Sequence, residues 1–385
     1  MNYLIISREF PPQDGGIAEA AFEIANHLAK SGRKVFVLTW KSQAGKERSD
    51  LNPVTWPFQV MRISRPRNRW LQIAVLFLCV SFLVASQKIK RVYAMSWNFE
   101  GVAMAAVSWI LPADYILFVH GYDISFKALS ASDRSLLRFA LNGARKIFAN
   151  SSFTLELLLK HGPRKNAAWL PFGVDTSRFN PGVKGHQIRD RHALHGKKVL
   201  LTVARLFARK GHDQVIEAMP RIVQKIPDVR WVIAGTGPEK EKLVKRAGEL
   251  KVQDPIVFAG FVPADELPAY YAACDVFVLP NREILDPADP WAGDFEGFGI
   301  VFIEAASTGK PVIAGRSGGA PDAVLDGQTG ILVDPLNAAE IADAVIKILT
   351  DPALGAKMGQ NGRRRAEQEL TWPALLEHYE KAFEN

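Results

Sequence analysis

Glu296-Gly-Phe-Gly-Ile-Val-Phe-Ile-Glu304 sets two carboxylates eight positions apart, with Gly297 and Gly299 between them. An apolar run then leads on into Ala305-Ala306. Glycines ahead of such a run suit a loop that enters a buried helix. The first turn of that helix offers unpaired backbone N–H groups to an anion. On this register Glu304 falls in the second turn and Glu296 on the approach loop, so both carboxylates can face one ligand from different sides. A sugar nucleotide asks for that combination: N–H donors for its diphosphate, carboxylate acceptors for its ribose and hexose hydroxyls. A glycine-hinged helix carrying two solvated glutamates is the plainer reading of the same residues.

Outward from this stretch, short β-branched runs alternate with helix-length segments. The first half offers strands at Tyr3–Ser7, Lys34–Thr39, Val92–Met95, Tyr115–Val119, Lys146–Ala149 and Ala168–Leu170. The second offers Lys198–Val203, Arg230–Ala234, Ile256–Phe258, Val276–Leu279, Pro311–Ala314 and Gly330–Val333. Helical patterns such as Ala18–Ser31, Asp213–Ile226 and Ala338–Leu349 lie between them. Alternation of this kind predicts an α/β fold with parallel sheets in doubly wound layers. Twelve strands exceed one tidy sheet, so two Rossmann-like domains are expected, over 1–185 and 186–370. The segment 371–385 reads as a helix, N-capped by Thr371 with Pro373 in its first turn, that returns to the first domain. Phe179–Lys197, with Pro181, Gly182, Gly185 and Gly196, is the linker candidate.

The chain has 385 residues, 48% apolar and 23% charged, enough for two cores of ordinary size. Cys79 and Cys274 both lie in apolar runs and read as buried small hydrophobes in a reducing compartment. No basic leader precedes a long apolar run at the start, so a cytoplasmic protein is expected. The charge is +8 overall but uneven: Arg33 to Arg91 holds twelve Lys or Arg against only Glu47 and Asp50, a net +10. Such a patch serves nucleic acid, anionic lipid or a phosphorylated substrate. No recognition motif or stacking aromatic array accompanies it, which disfavours nucleic acid. Within the patch, Trp70–Ser86 is a 17-residue, uncharged run, short of the roughly 20 needed to span a bilayer. It reads first as a fully buried helix of an α/β domain. Its second reading is an interfacial segment held to anionic membrane by basic flanks, which makes the protein peripheral at the inner face of the cell membrane.

Ligands of doubly wound sheets collect at the carboxyl ends of strands, and polar residues gather there in both halves. After the first strand comes Arg8-Glu-Phe-Pro-Pro-Gln-Asp-Gly-Gly-Ile17, with Gly15-Gly16 just ahead of a helix. Paired glycines let N–H groups approach a phosphate, although alone they read equally as a turn. The spacing G-x-G-x-x-G of the dinucleotide fingerprint is absent. After the strand ending near Ala204, Arg205-Leu-Phe-Ala-Arg-Lys210 sets Arg205 and Lys210, two cations five residues apart, on a loop that enters a helix. They can grip a diphosphate and neutralise a leaving group, or merely decorate the surface. His120 ends the Tyr115–Val119 strand, where it can hydrogen-bond a sugar hydroxyl or serve as a buried, satisfied histidine. Neither Asp-x-Asp nor a Cys/His cluster of zinc spacing occurs, so the site is expected to work without metal.

In chain order, Gly15-Gly16, His120-Gly121, Arg205-x4-Lys210, Gly235-Thr-Gly237-Pro and Glu296-x7-Glu304 resemble the family 4 retaining glycosyltransferases of the GT-B fold. The likeness covers nearly the whole chain. Ser317-Gly-Gly-Ala-Pro-Asp322 is also similar to the phosphatidylinositol-mannoside mannosyltransferases, which use GDP-mannose. The resemblance implies that Arg205 and Lys210 bind the diphosphate, helped by Gly16 and the N–H groups near Ile300 and Val301. It implies Glu304 on the ribose, Glu296 with the backbone of Gly297, Phe298 and Gly299 on the hexose, and His120 on the 6-hydroxyl. Gly260, Phe261 and Val262 would flank the base, and Asp14 and Asn281–Asp294 would lie towards the acceptor. No cofactor is implied. The partners are a nucleotide-sugar donor and a glycan or lipid-linked acceptor. Retention without an enzymic nucleophile fits a front-face displacement, in which the leaving phosphate takes the proton of the incoming hydroxyl. UDP-glucose or UDP-N-acetylglucosamine are alternative donors. A GT-B sugar-nucleotide epimerase, a dinucleotide-dependent oxidoreductase and a non-catalytic carbohydrate or lipid binder are the rival classes.

Overall fold

The computed structural model describes residues 1–13, 15–41, 56–124, 129–161, 166–286 and 289–384. Asp14 therefore lies outside the described residues, as do Lys46, Glu47, Arg48 and Asp50 of the basic window. The chain forms two compact units. The first comprises Met1–Gly173, Asp286–Gly293 and Trp372–Asn385; the second comprises Val174–Leu285 and Asp294–Thr371.

The first unit carries a seven-stranded sheet of β1 (Asn2–Ser7), β2 (Lys34–Trp40), β3 (Gln59–Ile63), β4 (Arg91–Ala94), β5 (Asp114–Val119), β6 (Lys146–Ala149) and β7 (Ala167–Trp169). The spatial order is β3-β2-β1-β4-β5-β6-β7, every pair is parallel, and Ile5 stands opposite both Val37 and Tyr93. The second unit carries β8 (Lys198–Val203), β9 (Val229–Ala234), β10 (Ile256–Gly260) and β11 (Val276–Leu279). In chain order a two-stranded ribbon of β12 (Ile284–Asp286) and β13 (Asp289–Asp294) follows, whose Asp286–Gly293 portion belongs to the first unit, and the second unit resumes with β14 (Val312–Gly315) and β15 (Gly330–Val333). The main sheet of this unit runs β10-β9-β8-β11-β14-β15, again all parallel. All twelve strands expected from the sequence are present, and β3, β12 and β13 are additional. In both sheets the order reverses beside the first strand, between β1 and β4 and between β8 and β11. Loops at the carboxyl ends of these strands diverge there and leave room for a ligand.

Strands buried on both faces need continuous apolar runs, and Leu4, Ile5, Ile6, Val37 and Val278 are all at or below 1% exposure. Helices then cover the sheets with one apolar face each. Helices His212–Lys225 and Ala338–Thr350 pack together over the second sheet through Val215, Met219, Ile222, Ile341, Val345 and Ile348. Asn337 caps the latter by accepting from the N–H groups of Ala339 and Glu340 at 3.1 and 3.2 Å. The segment 179–197, expected to be a linker, holds a helix at His186–Arg191 and buries Phe179, Ile188 and Leu194 in the second unit.

The helix Trp372–Lys381 packs on the first unit's helix Gly16–Lys30. Its Tyr379 lies among Tyr93, Phe118 and Phe148. Glu380 accepts from the hydroxyls of Tyr3 at 2.5 Å and Tyr93 at 2.7 Å, and pairs with Arg33 at 3.2 Å and Arg91 at 3.3 Å. Burial, then the Glu380 charge, pushes the Tyr93 phenol well above its ordinary value, so it remains a donor. Glu380→Ala strands this buried hydroxyl and two guanidinium groups and is expected to cost about 3 kcal/mol. The check is thermal unfolding, with a fall of roughly 6–12 °C in the transition of this unit. An unchanged midpoint contradicts the assignment.

Helix Arg69–Ser86 departs from its first reading. An all-apolar helix is expected to be buried all round, yet only 28% of this one is buried. Gln72, Leu76, Val80, Leu83 and Val84 face inward. Leu71, Ala74, Leu78, Phe82 and Ala85 form an exposed stripe at helical spacing, with Trp70 beside it. Cys79 on this helix is half-buried, whereas Cys274 is buried as expected.

Candidate active site

In the second unit the residues singled out from the sequence converge at the carboxyl end of the sheet. Arg205 follows β8 directly, and Lys210 closes a 3₁₀ turn over Ala208–Lys210. Glu296 follows β13, and the Lys210 Nζ donates to its Oε2. Arg209, one position before Lys210, donates to the same oxygen at 3.1 Å and to Asp294 at 2.9 Å. Arg209 was not among the residues expected from the sequence, where its adjacency to Lys210 was the available signal.

Burial lowers the proton affinity of Lys210, and the neighbouring Arg209 and Arg205 add to that against the pull of Glu296. Burial alone would raise the Glu296 carboxyl, but Lys210 and Arg209 hold it below its usual value. Lys210 and Arg209 thus face Glu296, Arg209 also faces Asp294, and Arg205 is near enough to act on Lys210. The exposed Arg205 guanidinium rests 5.0 Å from the Phe207 ring, and no carboxylate among the described residues pairs with it. The cluster carries positive charge in excess.

The helix expected after Gly299 is present at Ile300–Ser307, with no side chain capping its N-terminus. Gly299 has φ 88°, and a Cβ there would lie 2.4 Å from the Phe302 ring, so only glycine makes this entry. Phe298 is 1% exposed, so its ring belongs to the core of this unit. The Ser317-Gly-Gly turn fixes the approach loop from behind: the Gly319 N–H donates to the Glu296 carbonyl at 2.9 Å. Gly318 has φ 57°, and a Cβ there would meet that same carbonyl at 2.5 Å. Asn281 is fully buried and donates to the Ser317 carbonyl at 3.2 Å, while Glu283 accepts from the Gly318 N–H at 3.0 Å. The start of the 281–294 segment is therefore framework of this unit.

Glu304 sits half-buried in the second turn of its helix, where the Tyr271 hydroxyl donates to its Oε2 at 2.7 Å. Tyr271 was also missed. It lies in an apolar helix, Leu267–Ala273, and nothing local distinguishes it from core. Gly235 follows β9 and donates to the carbonyl of Gly260, at the end of β10, at 2.7 Å. Phe261 is 65% exposed and Val262 is buried.

The remaining sequence candidates belong to the first unit. Gly15 and Gly16 are exposed, and Gly16 opens a helix whose N-terminus has no side-chain cap. His120 follows β5. Its Nε2 lies 2.6 Å from the Met95 carbonyl, which makes that nitrogen the N–H donor and Nδ1 the acceptor. Nδ1 has no partner. Its backbone N–H donates to Asp123 at 2.8 Å, and its ring lies 5.5 Å from Phe172. Among the described residues no group of three His, Cys, Asp or Glu could hold a metal ion.

Residues 14–178 match the family model for glycosyltransferase family 4, and residues 185–365 match that for glycosyl transferases group 1. A GDP-mannose-dependent alpha-(1-6)-phosphatidylinositol monomannoside mannosyltransferase of Mycolicibacterium smegmatis is 32% identical, over 96% of this chain and 94% of its own. A GDP-mannose-dependent monoacylated alpha-(1-6)-phosphatidylinositol monomannoside mannosyltransferase of Corynebacterium glutamicum is 27% identical over 97% and 95%. Among solved structures, Anabaena HepE with UDP and glucose superposes with a TM-score of 0.79 at 22% identity, covering 100% of this chain and 99% of that one. The sucrose-phosphate synthase of Thermosynechococcus elongatus also gives 0.79, at 21% identity and 100% and 98% coverage. The two matched family models and the end-to-end likeness to the mannosyltransferases, together with the two parallel sheets, identify the chain as a glycosyltransferase of the GT-B fold, belonging to family 4.

Proposed function

We propose that the enzyme transfers mannose from GDP-mannose to a lipid-linked acceptor, with retention at the anomeric carbon. The observation that carries the donor site is the surplus of positive charge at Arg205, Arg209 and Lys210, close to the uncapped helix that starts at Ile300. A diphosphate supplies the missing anion. Arg205 and Lys210 hold it, with N–H groups at Ile300 and Val301. Glu304 takes the ribose hydroxyls, and Glu296 with the Gly297–Gly299 backbone takes the hexose. Gly260, Phe261 and Val262 flank the base. Chemistry then needs positioning and charge stabilisation on the departing diphosphate, which takes the acceptor's proton as the new bond forms. The chain's own cations serve that role without a metal.

Mannose and GDP are favoured by the names of the 32%-identical relatives. The test is thermal protection, since a ligand stabilises in proportion to its occupancy. GDP should raise the unfolding midpoint more than UDP at equal concentration. Stronger protection by UDP moves the reading to UDP-glucose or UDP-N-acetylglucosamine.

The same reading brings the enzyme to a membrane surface for its acceptor. The exposed stripe of helix Arg69–Ser86 is uncharged, while Arg65 and Arg67 precede it and Lys88 and Lys90 follow it. Burying one Leu or Phe is worth about 1.5–3 kcal/mol, and each basic residue near anionic lipid about 1 kcal/mol. Leu78→Asp with Phe82→Asp is therefore expected to lower partition onto phosphatidylglycerol vesicles by at least ~100-fold. High salt removes only the electrostatic share. Unchanged partition of the folded variant overturns this surface.

A further inference from the structure

We infer that Tyr271 is a positioning residue for the donor nucleotide: its hydroxyl fixes the Glu304 carboxylate in the orientation that receives the ribose hydroxyls. The inference rests on the ribose role proposed for Glu304 and adds what makes that role possible.

A glutamate on a helix surface has several rotamers, and holding it in one of them costs entropy before any ligand arrives. Here one carboxylate oxygen, Oε2, is already tied at 2.7 Å. The donor is as fixed as a side chain can be. Tyr271 is 0% exposed, and its ring lies 5.7 Å from Phe179 on one side and 5.7 Å from Phe277 on another. Phe277, on β11, in turn lies 6.0 Å from Phe302, two residues from Glu304 on the same helix. The phenol cannot follow Glu304 if that side chain turns away, and its buried O–H would then lose its acceptor. Burial, then the charge of Glu304, pushes the phenol well above its ordinary range, so it stays a proton donor under all working conditions.

Tyr270, the neighbouring residue, provides the contrast. It is also buried, but its hydroxyl lies 3.0 Å from the His192 ring rather than against Glu304.

The experiment compares the calorimetric affinity of GDP with that of 2′,3′-dideoxy-GDP, and of UDP with its dideoxy form in parallel. The proteins are the native chain, Tyr271→Phe, Tyr270→Phe and Glu304→Ala. Tyr271→Phe should weaken the ribonucleotide by about tenfold, the scale of one hydrogen bond to a charged group, and leave the dideoxy form within about twofold. Tyr270→Phe should leave both affinities alone. Equal weakening of both nucleotides by Tyr271→Phe shows a merely structural tyrosine and overturns the inference, as does no weakening of either. Glu304→Ala separates the two levels. If it still distinguishes ribose from dideoxyribose, the ribose reading of Glu304 fails and the Tyr271 role falls with it. If it loses that distinction while Tyr271→Phe keeps it, only the Tyr271 role fails.

Discussion

Lys210→Ala and Arg205→Ala each lower turnover by at least ~100-fold, the loss seen when one donor to a developing transition-state charge is removed. The two act differently. Lys210 is 9% exposed and fixed by Glu296, so its charge is already aimed before the donor binds. Arg205 is exposed, and its alanine variant should melt at the native temperature. That makes it the cleaner probe: its loss of rate cannot be traced to unfolding. Arg209→Ala is a useful third member, because Arg209 holds Asp294 as well as Glu296. Near-normal turnover of a folded Arg205 or Lys210 variant reduces that residue to surface charge.

Glu296→Gln has the second large effect, and its signature is a split. The carboxylate holds Lys210 and Arg209 and, in the proposed function, also receives the hexose hydroxyls. Neutralising it should lower turnover by at least ~100-fold through lost hexose positioning. The same change frees two cations for a diphosphate, so affinity for GDP should rise by ~5-fold, equivalent to about 1 kcal/mol. Glutamine removes the charge but keeps the size and one acceptor oxygen, whereas alanine would also leave the buried Lys210 and Arg209 donors without that acceptor. Parallel titrations and rates decide it. If GDP affinity falls together with turnover, Glu296 only holds the loop in shape.

Much of the architecture was legible because its signals are local. Strands such as β1, β8 and β11 are continuous apolar runs, and alternation with helices fixes a parallel sheet. The strand that escaped notice, β3, is an edge strand containing Gln59, Met61 and Arg62, half-exposed and without such a run. The ribbon β12–β13 lies in an acidic, proline-bearing stretch that reads as a loop. Helix Arg69–Ser86 misled for the opposite reason: its composition reports hydrophobicity, but only packing decides which side is covered. At the site, the glycines and carboxylates of 296–304 announced themselves through spacing. Tyr271 did not, since its partner is 33 residues away and meets it only once β11 and the helix after Gly299 are in place.

The most direct test of donor and acceptor together is transfer of label. The protein is incubated with GDP-[¹⁴C]mannose or UDP-[¹⁴C]glucose, with and without a membrane lipid extract, and the products are separated by phase. The account predicts label from GDP-mannose in the lipid phase, dependent on the extract, with the mannosyl product in the α configuration of the donor. Label that stays on the nucleotide as an altered hexose, or that reaches lipid only from UDP-glucose, contradicts it.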